Sequence, residues 1–194
     1  MKTLLLTICL TLMLAVNGLC DCTVMVAGKK GASGCNPGLG YNTEETTDAT
    51  VLSGRMLCSR YQANCSGTWG YAYAYHTDAG NDNAKVCVYD SGNTTPTSES
   101  TLVASSSCQI VSSSTDGGWD ESAGKIGGSA VNGNYYWLCI VADTTAWVNG
   151  VEVNGAKTIY ENTSSNYGTP PANLDGTWGT FTTTADLALY VVIE

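Results

Sequence analysis

Cysteine, tyrosine, asparagine and aspartate are the residues whose types and spacing point to chemistry in this chain of 194 residues. Of its 9 cysteines, Cys9 lies in an apolar stretch behind the first Met, which leaves Cys20, Cys22, Cys35, Cys58, Cys65, Cys87, Cys108 and Cys139. An even set of thiols in an exported chain reads as a disulfide framework, although eight cysteines allow about 105 pairings. Zinc is the competing chemistry. A single residue separates Cys20 from Cys22, against the roughly two to four usual in zinc sites, and the lone His76 has no paired-ligand spacing. Cys20, Cys22 and Cys35 cluster ahead of the main body, so a bridge from one of them to another chain stays open.

The oxidising compartment is inferred from the N-terminus. Lys2, the apolar residues 4–16 and the small-residue site Val16-Asn17-Gly18 read as a signal peptide over residues 1–18. A lipid attachment at Cys20 is disfavoured by the bulky Leu19 before it. The apolar run is shorter than the roughly 20 residues needed to span a bilayer. The expected location is secreted, extracellular or at the cell surface, with no membrane insertion after cleavage.

Sugar recognition is the next chemistry in view. Aromatic faces stack on pyranose rings while amides and carboxylates bond the hydroxyls, and Tyr71, Tyr73, Tyr75, Trp147 and Trp178 are the candidates to stack. The plainer reading packs these tyrosines on the core or pairs them across strands. Trp137, in mid-strand, reads as core. Asp78 and Asp82 bracket an Asp/Asn/Gly loop that offers hard oxygen ligands to calcium, against the simpler reading of a connecting turn. No other cofactor is expected. Asn64, Asn93 and Asn162 stand in glycosylation sequons, with Cys65 inside the first and Pro96 just after the second.

Catalytic signatures are missing from the sequence: there is no Gly-x-Ser-x-Gly, no His-Glu-x-x-His and no phosphate-cradling glycine loop. His76 reads as a strand-end surface or packing residue. Glu44 with Glu45, Asp120 with Glu121, and Glu152 with Glu161 are the carboxylate pairs a glycosidase would need, all in turn-rich or exposed contexts. The chain is therefore expected not to be an enzyme.

These residues need strands to position them. Residues 69–76 alternate aromatic and small side chains, placing Tyr71, Tyr73 and Tyr75 on one face and Ala72 and Ala74 on the other. Residues 85–90 oppose Val86 and Val88 to Cys87 and Tyr89. Further strand candidates are residues 51–61, broken at Ser53-Gly54, and residues 101–105, 108–112, 135–142, 146–153, 157–160 and 187–193. Gly, Asn, Asp and Ser clusters separate them, the rhythm of an antiparallel sandwich. The mature chain of about 175 residues suits one domain. Loss of Lys2 with the leader takes the net charge from −9 to −10, which disfavours nucleic acid and anionic membranes as partners.

Gly-Tyr-Asn-Thr from Gly40, Lys-Val-Cys-Val-Tyr-Asp-Ser-Gly from Lys85, Gly117-Gly118-Trp119, Asn-Tyr-Tyr-Trp-Leu-Cys-Ile-Val from Asn134 and the closing Leu-Ala-Leu-Tyr-Val-Val-Ile resemble jelly-roll-like modules of secreted microbial proteins. The resemblance covers residues 38–194. It implies a jelly-roll sandwich that either decorates a surface or polysaccharide-active protein, or polymerises as a filament subunit. The chain departs from that pattern in its cysteines, and Cys87 and Cys139 inside strands suggest cross-strand or inter-sheet staples.

Residues 19–37 form an N-terminal extension and linker before that module. Cys22, Thr23, Val24, Met25, Val26 and Ala27 read as a short strand on a Gly-rich tether, able to complete a neighbour's sheet edge or to pair within its own sheet. The reading is thus an all-β, antiparallel, jelly-roll-like β-sandwich with an N-terminal strand extension, stapled by disulfides. Its expected role is a homopolymeric structural subunit of an extracellular filament or surface layer. A monomeric carbohydrate-binding module, with glycans as partners, is the alternative.

Overall fold

The computed structural model describes residues 35–44, 47–51, 53–77, 82–113, 117–143, 147–152, 157–165, 167–182 and 185–194. Fourteen strands run through them: β1 Cys35–Gly40, β2 Thr47–Val51, β3 Met56–Gln62, β4 Gly67–His76, β5 Asn83–Asp90, β6 Cys108–Ser112, β7 Gly118–Lys125, β8 Ser129–Ala130, β9 Tyr135–Ala142, β10 Trp147–Glu152, β11 Ile159–Asn162, β12 Trp178–Thr182, β13 Asp186–Leu187 and β14 Leu189–Ile193. Every pairing is antiparallel, and no helix occurs among the described residues. The class is all-β, as the turn spacing predicts.

The strands follow the order β1-β14-β4-β7-β6-β5-β9-β3-β11-β12, with β2, β10 and β13 attached beside β4. A single bridge, Val111 to Ser122, joins β6 to β7 and marks where the sheet curls over. One half holds β1, β14, β4 and β7; the other holds β6, β5, β9, β3, β11 and β12.

Alternation decides what fills the space between the halves. Leu57, Val86, Val88, Leu138 and Ile140 come from the second half, and Ala72, Ala74, Leu187, Leu189 and Val191 from the first; all are buried. Each strand delivers every second residue to this core because side chains alternate across the pleat. The other face of the second half carries a smaller core of Met56, Cys58, Cys87, Tyr89, Trp137, Cys139, Val141 and Leu174. Two loop segments roof it: Leu102 N donates to Ala172 O, Leu174 N to Ser100 O, and the Tyr89 hydroxyl to Pro171 O. β9 is therefore covered on both faces, which explains its unbroken apolar run Tyr-Tyr-Trp-Leu-Cys-Ile-Val-Ala. Residues 101–105, read as a strand, make only single bridges at Thr101 and Leu102, because they serve that roof.

Among the described residues three disulfides staple this arrangement: Cys35–Cys65, Cys58–Cys139 and Cys87–Cys108. The last two join residues directly opposite each other on β3/β9 and β5/β6. The stapling expected of Cys87 and Cys139 is thus cross-strand. Cys35 bridges within the chain, and the residues 35–37 that the sequence assigned to the linker form the start of β1. Disulfides are the mark of an oxidising compartment. No helix among the described residues is long and apolar enough to cross a membrane.

Candidate functional site: an aromatic outer face

β4 turns its tyrosines outward. Its alanines, Ala72 and Ala74, enter the core, while Tyr71, Tyr73 and Tyr75 stand half-buried on the outer face of the first half. A core-packing role would have put the tyrosines inside.

Neighbouring strands extend the aromatic face. Tyr190 of β14 lies opposite Tyr73, and the two rings stack with centroids 4.6 Å apart and planes 9° from parallel. Trp119 of β7 lies opposite Tyr75 at 5.3 Å and meets Tyr190 edge-on at 4.9 Å and 67°. Gly117 and Gly118, with φ of 71° and 125°, make the turn that starts β7 one residue before Trp119. Side chains other than glycine rarely adopt such angles.

Register between β4 and β7 slips between Tyr71 and Tyr73. There the Ala72 N–H donates to the Ser122 hydroxyl, which in turn donates to Gly124 O. Such a bulge bends the strand and re-aims the side chains beside it.

Polar groups flank the rings. The Tyr73 hydroxyl donates to the Glu121 carboxylate. Burial, then this hydrogen bond and the charge of Glu121, raise the Tyr73 phenol. Tyr190 is pushed up to about 12, by burial first and Glu121 second. At the far end Lys125 sits 5.7 Å from the Tyr71 ring and 2.6 Å from the Glu194 carboxylate, whose hydrogen bond raises the ammonium. The face therefore offers ring surfaces, the Glu121 carboxylate, the Lys125–Glu194 ion pair and phenolic hydroxyls.

Other sequence candidates lie elsewhere. Trp178 packs on the smaller core and its indole N–H donates to Leu174 O. Trp147 opens β10, opposite Val51. Trp137 is fully buried, as its mid-strand position predicts. Asp82 pairs through its backbone with Ser113 and its Oγ, while Asp78 lies outside the described residues. Among the described residues no group of three His, Cys, Asp or Glu gathers as a metal site. The Asn64 amide donates to Pro37 O from an exposed position, and the Asn93 amide donates to Thr97 and Glu99. Asn162 is only 7% exposed, its amide donating to Asp175 O. Cys20 and the segment Cys22, Thr23, Val24, Met25, Val26, Ala27 also lie outside the described residues.

Two of the carboxylate pairs are split, and Glu45 of the third lies outside the described residues. Asp120 points inward to the fully buried His76, Oδ2 to Nδ1 2.6 Å, while its neighbour Glu121 points outward. Glu161 pairs with Arg55 at 2.7 Å in the opposite half from Glu152. His76 is thus a packing residue at the strand end, facing a carboxylate.

Sequence reading missed Trp119, Glu121 and Tyr190 as members of the face. Tyr190 was legible, because Leu189, Val191 and Ile193 alternate inward and leave it outside. Trp119 and Glu121 sit in a strand disguised by Gly117, Gly118 and Asp120, which read as a turn.

The chain matches no protein-family model and no curated protein.

Proposed function

We propose that this protein is a secreted, non-catalytic glycan-binding module whose outer aromatic face holds an extracellular polysaccharide. The observation that carries this reading is the outward cluster of Tyr73, Tyr75, Trp119 and Tyr190 with Glu121 among them. A cluster of half-buried aromatics on the outer face, where alanines fill the core beneath it, supports a binding surface. The ring planes differ by up to 67°, so the surface suits a single hydrated chain better than a flat crystalline one. Glu121 and the phenols supply hydrogen bonds to sugar hydroxyls.

Affinity electrophoresis of the native protein through gels cast with soluble polysaccharides tests this. Retardation by at least one glycan, lost in Trp119→Ala and Tyr190→Ala while melting stays cooperative, is the expected result. Equal retardation of both variants overturns the reading.

A filament-forming role is the second reading, favoured by the sheet's open ends. Among the described residues β1 pairs only with β14 and β12 only with β11, and β12 displays Phe181 at 42% exposure. Unpaired edges accept strands from neighbours, and head-to-tail exchange builds fibres. Negative-stain microscopy of the unreduced secreted protein should show regular fibres if this holds, and uniform small particles if it does not.

A further inference from the structure

Cys58 of β3, Cys139 of β9, Cys87 of β5 and Cys108 of β6 follow one another across the sheet, each directly opposite the next. Opposed residues turn to the same face of a sheet. Here that face is the smaller core, where Cys58, Cys139 and Cys87 are fully buried and Cys108 packs against them. Two bonds close the outer pairs, Cys58–Cys139 and Cys87–Cys108, and set Cys139 beside Cys87 in the middle.

The middle pair has the span of a third bond. The Cα atoms lie 4.1 Å apart in Cys58–Cys139 and 4.0 Å apart in Cys87–Cys108, which makes both narrow pairs of the ladder. A residue sends its backbone N–H and C=O to the same neighbouring strand, so Cys139 and Cys87 form the wide pair, about 5.5 Å between Cα atoms. Disulfides most often bridge about 5.5–6 Å. Order in the row suits exchange as well. A thiolate on Cys87 would stand in line with the Cys139–Cys58 bond, and one on Cys139 in line with the Cys87–Cys108 bond, the arrangement that sulfur displacement requires. Access is from one end: Cys108 is partly exposed, whereas Cys58 at the other end faces Tyr160 of β11.

We propose that this row is a thiol–disulfide exchange site, which takes electrons from an external dithiol at Cys108 and passes them inward to Cys58. A thiolate of the dithiol attacks the Cys108 sulfur, forms a mixed disulfide and releases Cys87 as a thiolate. Cys87 attacks Cys139, the Cys87–Cys139 bond forms, and the electron pair of the broken bond leaves on Cys58, which takes up a proton. The second thiol of the donor then attacks its own sulfur in the mixed disulfide, departs as a cyclic disulfide and frees Cys108 as a thiol. One dithiol is oxidised and one protein disulfide is reduced, yet a cross-strand staple remains. The attack falls on β6, but the strand that loses its disulfide is β3, with β11 and β12 beyond it.

The test is disulfide mapping of the full secreted protein after one equivalent of dithiothreitol, acid quenching, and alkylation in denaturant. Label on Cys108 and Cys58 with a Cys87–Cys139 linked peptide is expected; label confined to Cys108 and Cys87, with Cys58–Cys139 intact, overturns the proposal. Cys58→Ser runs the row outward without any reductant, because its free Cys139 faces Cys87–Cys108. Under native conditions N-ethylmaleimide should label Cys108 in this variant, as Cys139 attacks Cys87 and the partly exposed sulfur is released. Cys108 left unlabelled, with Cys139 labelled only after denaturation, overturns the proposal equally. If Cys58→Ser does not melt cooperatively, Cys108→Ser replaces it: label shared between Cys87 and Cys58 is then expected, and label on Cys87 alone refutes exchange.

Discussion

Tyr190 shows how a residue on the aromatic face is tuned. Its phenol is held neutral to about pH 12 by burial and by the Glu121 charge, against an ordinary value of 10.0. The sign follows from proton counting. Below pH 10 both native and unfolded chains keep the proton and the contribution is whole; between 10 and 12 the unfolded chain releases it while the native chain does not, so stability falls as pH rises. Phenolate absorbance should therefore show a component near pH 12 that Tyr190→Phe removes while the raised phenols of Tyr61, Tyr73 and Tyr89 remain, and Glu121→Gln should move that component partway back toward 10. Asparagines make a second contrast at this scale. Asn64 projects from an exposed turn and Asn162 is enclosed. If the source glycosylates asparagine, mass spectrometry of the secreted protein should find a glycan at Asn64 and bare Asn162.

Among the elements, β3, β9, β5 and β6 form the most constrained group. Cys58, Cys139, Cys87 and Cys108 stand in one row across these four strands, each opposite the next. Cys58–Cys139 closes a separation of 81 residues and Cys87–Cys108 one of 21. Loop-closure entropy makes the first worth about 4.5 kcal/mol and the second about 3.3. Replacing Cys58 and Cys139 together by alanine should thus lower the denaturation midpoint more than replacing Cys87 and Cys108. Access runs the other way, for Cys108 is partly exposed while Cys58 and Cys139 are fully buried. Graded reduction followed by alkylation should label Cys108 before Cys58. Where β1 ends, Gly40 holds a φ of 103° and an added Cβ would stand 2.2 Å from Leu189 O. Gly40→Ala should cost about 3 kcal/mol or more, read as a lower melting temperature.

At the scale of the molecule, the two sides of the curled sheet have diverged. One is aromatic and carries Glu121; the other is roofed by loops. The unit that carries both spans Ala32–Glu194. Removing residues 19–31 keeps Cys35, its bridge to Cys65 and β1. Such a chain should melt cooperatively and keep its glycan retardation, and if the filament reading holds it should no longer form fibres under the electron microscope. Deleting through residue 37 would instead break the Cys35–Cys65 bridge and half of β1, so its failure would say nothing about assembly.

Local pattern was enough for much of this. β6 and β9 were legible to the residue, and β4's alternation correctly placed Tyr71, Tyr73 and Tyr75 together on one face, because a period of two is a property of the strand itself. Cysteine parity announced a stapled protein for the same reason: it needs no knowledge of neighbours. Which face of β4 meets the core was not legible, since both tyrosines and alanines are acceptable inside a sheet. That choice goes with the valines, leucine and isoleucine of β5 and β9, which share the interior with Ala72 and Ala74 while the tyrosines stay outside. Disulfide partners and the company of Trp119 and Tyr190 around Tyr73 join residues far apart in the chain. Strand order and register bring them together, and these are set by the packing of the whole sheet, which no local stretch of sequence contains.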